Sequence, residues 1–291
     1  SLTIDPIMDG FREYETQMNS IQTVLANTSS KGTTLKEVTA ALDELNLYAD
    51  KTIYNFTEMT RNIGTFTAAG VDLKTSTAAI KGIANLAAVS GSTSQQASTA
   101  MYQLSQALAA GTVKLQDWNS VVNAGMGGEV FQKSLIETAK VHGIAVDKMI
   151  KDEGSFRETL QKGWLTSEIL TETLSKFTGD LNEKQLKSMG YTDEQIKGII
   201  KMGNMANDAA TKVKTFTQLI DTLQEAVGSG WAQTWQTVFG DFEEAKVLFT
   251  GISDTLGGMI EASSDARNKL LKGWKDLGGR KALIDSFKNA F

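Results

Sequence analysis

Apolar residues recur along this chain at steps of three and four, the spacing of a helix with one buried face. Phe216, Leu219, Ile220, Leu223, Ala226 and Val227 share such a face. So do Ala97, Ala100, Met101, Leu104 and Leu108, and before them Ala79, Ile80, Ile83 and Ala87. No sustained alternation of apolar and polar residues predicts a strand. Helix starts are marked by Ser or Thr followed three residues later by Glu or Gln, a pair that caps a helix reciprocally. The pattern falls at Thr34/Glu37, Ser92/Gln95, Ser155/Glu158 and Thr192/Gln195, with Asp180/Glu183 a looser version. Glycines at Gly91, Gly111, Gly143, Gly179, Gly190 and Gly228 stand where the periodic runs should stop. The pattern predicts an all-α protein of about a dozen helices. A multi-helix bundle of short helices is followed by longer amphipathic helices near 205–228, 231–249, 252–272 and 280–291. The expected segments are 1–55, 56–190 and 191–291.

Composition supports long helices and a buried core. Pro6 is the only proline, so nothing after it breaks a helix as proline does, and the punctuation falls to 26 glycines. Hydrophobic residues at 41% and charged residues at 22% argue for a packed core and against disorder. A net charge of −5 gives no electrostatic attraction to nucleic acid or to an anionic membrane. The absence of cysteine removes disulfides, thiolate metal sites and thiol nucleophiles. No basic segment leads into an apolar run after Ser1, so no signal peptide is visible; Ser1 in place of an initiator Met points to a processed or excised chain. At the other end the stripe of Leu283, Ile284, Phe287 and Phe291 has no stop signal, and the natural chain is expected to continue.

One span departs from the average. From Gly82 to Val113 there is no charged residue, yet Ser90, Ser92, Thr93, Ser94, Gln95 and Gln96 make it too polar to cross a membrane. It reads as two helices joined at Ser90–Ser94, either an ordinary tightly packed hairpin or a surface partly covered by a partner chain, since solvent-facing helices normally carry charge. Val247–Ile260 is the most apolar late stretch, but it contains Asp254 and three glycines and is shorter than a span requires. Trp118 and Trp164 read as core. Trp231 and Trp235 share a helix face just after Gly228 and Gly230, and either core or interface fits them.

The search for reactive chemistry comes out nearly empty. His142, the only histidine, lies near a predicted helix end, where such a residue stabilises the C-terminus. Metal sites built from His and Cys are excluded by count. There is no phosphate-binding loop and no dinucleotide fingerprint. Gly125-Met126-Gly127-Gly128 reads as a flexible turn between helices, with no strand before it and no lysine directly after. The adjacent carboxylates Glu243/Glu244 and Asp152/Glu153 point to different helix faces and read as solvated charge. No cofactor is implied, and the chain is not expected to be an enzyme.

An ordered set of segments is familiar. Ala69-Gly70-Val71-Asp72 leads to Ala78-Ala79-Ile80-Lys81-Gly82-Ile83-Ala84, then to Leu104-Ser105-Gln106-Ala107-Leu108-Ala109-Ala110-Gly111, Leu115-Gln116-Asp117-Trp118-Asn119 and Gly163-Trp164-Leu165-Thr166. Later come Gly228-Ser229-Gly230-Trp231-Ala232-Gln233-Thr234-Trp235, Phe239-Gly240-Asp241-Phe242 and Lys272-Gly273-Trp274. In this order the chain resembles the N-terminal domain of bacteriophage tail tape measure proteins, of the type found in phages and prophages of Gram-positive bacteria. One departure is Met126-Gly127-Gly128, where many members carry a proline; it bears on the rigidity of that turn. The resemblance implies a structural protein of the virion, made in the host cytoplasm and running along the tail lumen. It would set tail length and template the tail tube. Implied partners are the chain itself as a small homo-oligomer, the tail tube protein, distal tail and tail hub proteins, and tail assembly chaperones. It implies no sequence-specific nucleic acid, and a membrane role within these residues is not expected. The expected contact residues are Leu104 and Leu108 in the uncharged hairpin and Trp231, Trp235, Phe239 and Phe242 downstream. The other reading weighed is a generic helical adaptor, a compact monomer with one apolar groove.

Overall fold

The structure, a computed structural model, describes residues 19–52, 54 and 56–227. Among the described residues it is all helical, as the periodicity predicts, and the one β pairing is an isolated antiparallel bridge between Thr112 and Thr166. In chain order the helices are α1 (residues 19–28), α2 (Leu35–Lys51), α3 (Phe56–Ala68), α4 (Leu73–Val89), α5 (Ser94–Ala109) and α6 (Leu115–Asn123). There follow α7 (Glu129–Val141), α8 (Val146–Glu153), α9 (Phe156–Thr159), α10 (Ser167–Ser175), α11 (Glu183–Ser188) and α12 (Asp193–Val227). Short 3-10 turns sit at Ser29–Lys31 and Leu160–Lys162. The chain divides into two compact units, Ser1–Asp50 with Tyr54–Asn207, and Lys51–Ile53 with Asp208–Phe291.

The first unit is built around α4. Every residue from Ala79 to Ala88 is buried, which a helix achieves only when neighbours cover its whole circumference. Helices α3, α5 and α10 pack directly on it. The charge-free stretch that begins at Gly82 has its cause here: a helix enclosed on all sides has no solvated face on which to place a charge. The closest approach is made by Gly82, where a β-carbon would land inside the contact radius of the Leu174 carbonyl, so α4 and α10 meet backbone to backbone. A second approach of this kind puts Gly203 of α12 against Lys176 and Gly179 in the turn after α10, with a β-carbon only 2.7 Å from the Lys176 carbonyl oxygen.

A chain of aromatic rings runs through the second half of the unit. Trp118 of α6 lies 5.7 Å from Phe131 of α7 and 4.9 Å from Phe156 of α9. Phe156 in turn meets Trp164 edge-on at 5.8 Å, and Phe131 meets Phe177 at 6.2 Å. Trp118 and Trp164 are therefore core, as their sequence setting predicts, and the Trp164 indole N–H is satisfied by Thr159 Oγ1 at 3.0 Å.

Several start signals hold and two shift. Thr34, Ser155 and Thr192 each accept a backbone N–H from the residue three positions on, and the first and last also donate their own backbone N–H to the Glu37 carboxylate and the Gln195 amide oxygen. The cap expected at Ser92/Gln95 is instead a capping box of Thr93 with Gln96, because the Ser92 hydroxyl is drawn to the Ala124 carbonyl. The looser Asp180/Glu183 pair gives way to Asn182 with Gln185, because Asp180 bonds Lys81. The glycines at 91, 111, 143, 179 and 190 all take positive φ, the left-handed conformation that ends a helix. Gly228 lies outside the described residues. The helix expected near 205–228 is longer than predicted: it starts at Asp193, on the Thr192 cap, and runs through Val227.

Candidate functional site

The polar chemistry of the first unit gathers on two buried lysines. Lys81 projects from α4 with its Nζ 2.9 Å from Glu44 Oε1 of α2 and 2.7 Å from Asp180 Oδ2 after α10. Burial alone would lower its pKa, but the hydrogen bonds and charges of Asp180 and Glu44 outweigh that and hold it above the ordinary lysine value. Lys176, at the end of α10, has no exposed side-chain surface. Its Nζ lies 3.0 Å from Glu137 Oε1 of α7 and 4.5 Å from the centre of the Tyr191 ring. Here burial dominates and pushes the pKa down, with Glu137 and Glu172 opposing the shift. Asn85, fully buried on α4, donates to the Phe177 carbonyl at 2.9 Å and accepts from the Tyr48 hydroxyl at 2.5 Å. It thereby satisfies a carbonyl that the end of α10 leaves without a helical partner.

His142 does meet acidic company. It caps the C-terminus of α7, and its Nε2 lies 3.0 Å from Glu172 Oε2 of α10. The same carboxylate oxygen accepts from the Tyr191 hydroxyl at 3.3 Å, which also reaches Thr138 Oγ1 at 3.5 Å; Thr173 donates to Thr138 at 2.7 Å. Each polar head here is matched by another side chain of the same protein. The arrangement ties α7, α10 and the turn between α11 and α12 together, with the Tyr191 ring lying over the Lys176 ammonium. Its chemistry is that of a brace. The small apolar cluster of Leu186, Tyr191, Ile196 and Ile199, with Val141 packed against it, completes the same joint.

A cleft of about 530 Å³ between the start of α1 and α3 is lined by Asn19, Thr23, Thr57, Thr60, Arg61 and Thr65 among others. Its hydroxyls come with one charged group, Arg61, and no acid–base pair. Among the described residues no cluster of three or more His, Asp or Glu is placed to hold a metal ion, and no helix is long and apolar enough to cross a membrane.

The expected contact residues are placed as follows. Leu104 and Leu108 are 1% and 4% exposed and face the interior of the bundle, where α5 packs on α3, α4 and α6. Trp231, Trp235, Phe239 and Phe242 lie outside the described residues, as do Val247–Ile260 and Glu243/Glu244. What faces solvent on α5 is the opposite stripe, with Gln95, Thr99, Tyr102 and Gln106 exposed in steps of four, three and four, and Ala109 and Ala110 after them. Sequence reasoning missed Asn85, Lys81 and Lys176, whose partners lie far away in the chain. A polar residue interrupting an otherwise apolar helix, as Asn85 does between Ala84 and Leu86, is the one signal that could have found any of them.

A comparison with curated proteins and with solved structures returned no match. The family model described as tape measure protein matches residues 9–231, which takes in the bundle around α4, the braced joint and the whole of α12. That match covers most of the chain, in the same order of segments that carries the sequence resemblance, and its description agrees with an all-helical molecule whose polar groups brace one another: this chain belongs to the tape measure protein family, structural components of the bacteriophage tail.

Proposed function

We propose that this chain acts as a scaffold that sets the length of the tail and templates assembly of the tail tube around it. The family match over residues 9–231 is the observation that carries this reading. Helix geometry is compatible with it. A helix rises about 1.5 Å per residue, so sequence length converts linearly to distance, and a helix the length of α12 extends about 52 Å. The first unit, with its glycine-punctuated short helices, is then the folded end of a longer ruler. Its work is done by surfaces and involves no catalytic step. Its partners are other copies of itself, the tail tube protein, the distal tail and hub proteins and the assembly chaperones, and assembly takes place in the host cytoplasm.

Self-association has a sequence basis in α12. Val213, Phe216, Ile220, Leu223 and Val227 follow one another at alternating steps of three and four, beyond the stretch of α12 in which Ile199, Ala206 and Ala209 are already buried. This is the heptad spacing of a coiled-coil seam, with β-branched Val213, Ile220 and Val227 at its first positions. The decisive experiment changes the length of the parent gene in frame and measures tails by electron microscopy. Tail length should change in proportion to the residues added or removed, and a constant length would end the ruler assignment.

A further inference from the structure

The helical hairpin of α11 and the start of α12 carries a core of its own. Leu186, Tyr191, Ile196 and Ile199 form one buried cluster, with Val141, Leu181, Met189 and Ile200 packed against it. Of these residues only Val141 of α7 lies outside the segment 181–200, so the hairpin buries its apolar faces largely against itself. Such local contacts mark a segment that can move as one cooperative unit. The chain is pinned to the bundle just before it. Asp180 Oδ2 holds Lys81 of α4 at 2.7 Å, and the Asp180 backbone N–H donates to Thr178 Oγ1 at 3.1 Å. Asn182 then opens α11 through its capping box with Gln185. Leu181 alone separates the two anchored ends.

The contacts that dock the hairpin on the bundle are weaker in kind. The Tyr191 hydroxyl reaches Glu172 and Thr138 at 3.3 and 3.5 Å, long for O–H···O bonds. The Tyr191 ring covers Lys176, whose side chain has no exposed surface, and the loss of water around that cation opposes the closed arrangement. Where α12 meets the turn after α10 the contact residue is Gly203, and the next buried position, Ala206, is also small, so little apolar surface is covered there. We propose that α11 and the docked start of α12 form a hinged lid over Lys176, which lifts as a unit about residues 180–182 while the bundle around α4 stays folded. Lifting breaks the two Tyr191 bonds and the Val141 contact, keeps the hairpin's own cluster, and admits water to the Lys176 ammonium. The motion depends neither on the length-setting role nor on self-association through α12.

Lys176 reports the motion, because its side chain is enclosed while the lid is shut. A water-soluble N-hydroxysuccinimide ester acylates each lysine according to its access to solvent, and peptide mass spectrometry reads the sites one by one. In the full 291-residue chain Lys176 should react far more slowly than the exposed Lys184. Its rate should rise with urea along less than about half the slope of global unfolding followed by circular dichroism, because lifting the lid exposes only part of the surface that unfolding does. Tyr191→Phe keeps the ring and removes the two hydroxyl bonds. It should speed acylation of Lys176 by at least about fivefold. Lys81, held inside the bundle by Glu44 and Asp180, should react as before. A Lys176 rate that carries the full unfolding slope in the parent chain would overturn the lid, since the site would then open only with the whole bundle. Equal acceleration of Lys81 and Lys176 in Tyr191→Phe would overturn it as well.

Discussion

At the scale of single residues, the fold depends on a few polar side chains that join segments distant in sequence. Asn85 is the clearest case, because its amide serves Phe177 and Tyr48 at once in a site without exposed surface. Asn85→Leu keeps the approximate shape but removes the donor to the buried Phe177 carbonyl and the Asn85 acceptor of the Tyr48 hydroxyl. It should destabilise the bundle by roughly 2–4 kcal/mol, read as a drop in the urea midpoint at unchanged slope. Lys176 and Glu137 form an asymmetric pair, since the lysine head is enclosed and the carboxylate is 29% exposed. Glu137→Gln strands the buried cation and should cost about 1–2 kcal/mol, whereas Lys176→Met leaves a carboxylate that water can reach and should cost less. Equal losses in thermal melts would show that the cation is not what Glu137 stabilises. These residues were not legible in the sequence. Asn85 and Phe177, or Lys81 and Asp180, are more than ninety positions apart, and no local pattern encodes which of the chain's many charges will be buried together.

At the scale of helices, local chemistry was read more reliably. Glycine stops and most caps were visible because they are settled within four residues of the helix end. The two caps that moved did so for tertiary reasons, since Ser92 and Asp180 were recruited by distant partners and the next suitable side chain took over. The central position of α4 was half legible: its lack of charge was plain, but sequence left open whether its own chain or a partner covered it. The glycine contact with α10 was invisible, because a mid-helix glycine reads as a weakness until a second backbone is found against it. Gly82→Ala adds one methyl group where the Leu174 carbonyl already stands. The helices must separate, at a cost of about 3 kcal/mol, and the same change at Gly198, which has open space around it, should be neutral or slightly stabilising. Chemical denaturation of both variants checks the contrast.

At the scale of the whole molecule, three buried phenols make stability sensitive to alkali. Burial raises the pKa of Tyr48, Tyr54 and Tyr191 above the usual value of 10.0. The folded state thus holds protons that the unfolded chain releases above pH 10, so their contribution is complete below that value and is lost as pH rises through the folded pKa values. Lys81 acts in the same direction and Lys176 in the opposite one. The net expectation is cooperative unfolding well above pH 10, with tyrosinate absorbance and helical circular dichroism changing together in a Tyr14→Phe, Tyr102→Phe background that leaves only these three phenols; their ionising before the helix signal falls would refute it. The uninterrupted run of α12 through 35 residues has a further consequence, for anyone redesigning the protein. Each inserted residue both lengthens a helix and turns everything beyond it by about 100°. Seven residues bring the far end back to within about 20° of its original azimuth while advancing it about 10.5 Å. Length variants cut within this helix should therefore come in sevens, because any other increment alters phase along with reach and confuses the two effects in a single measurement.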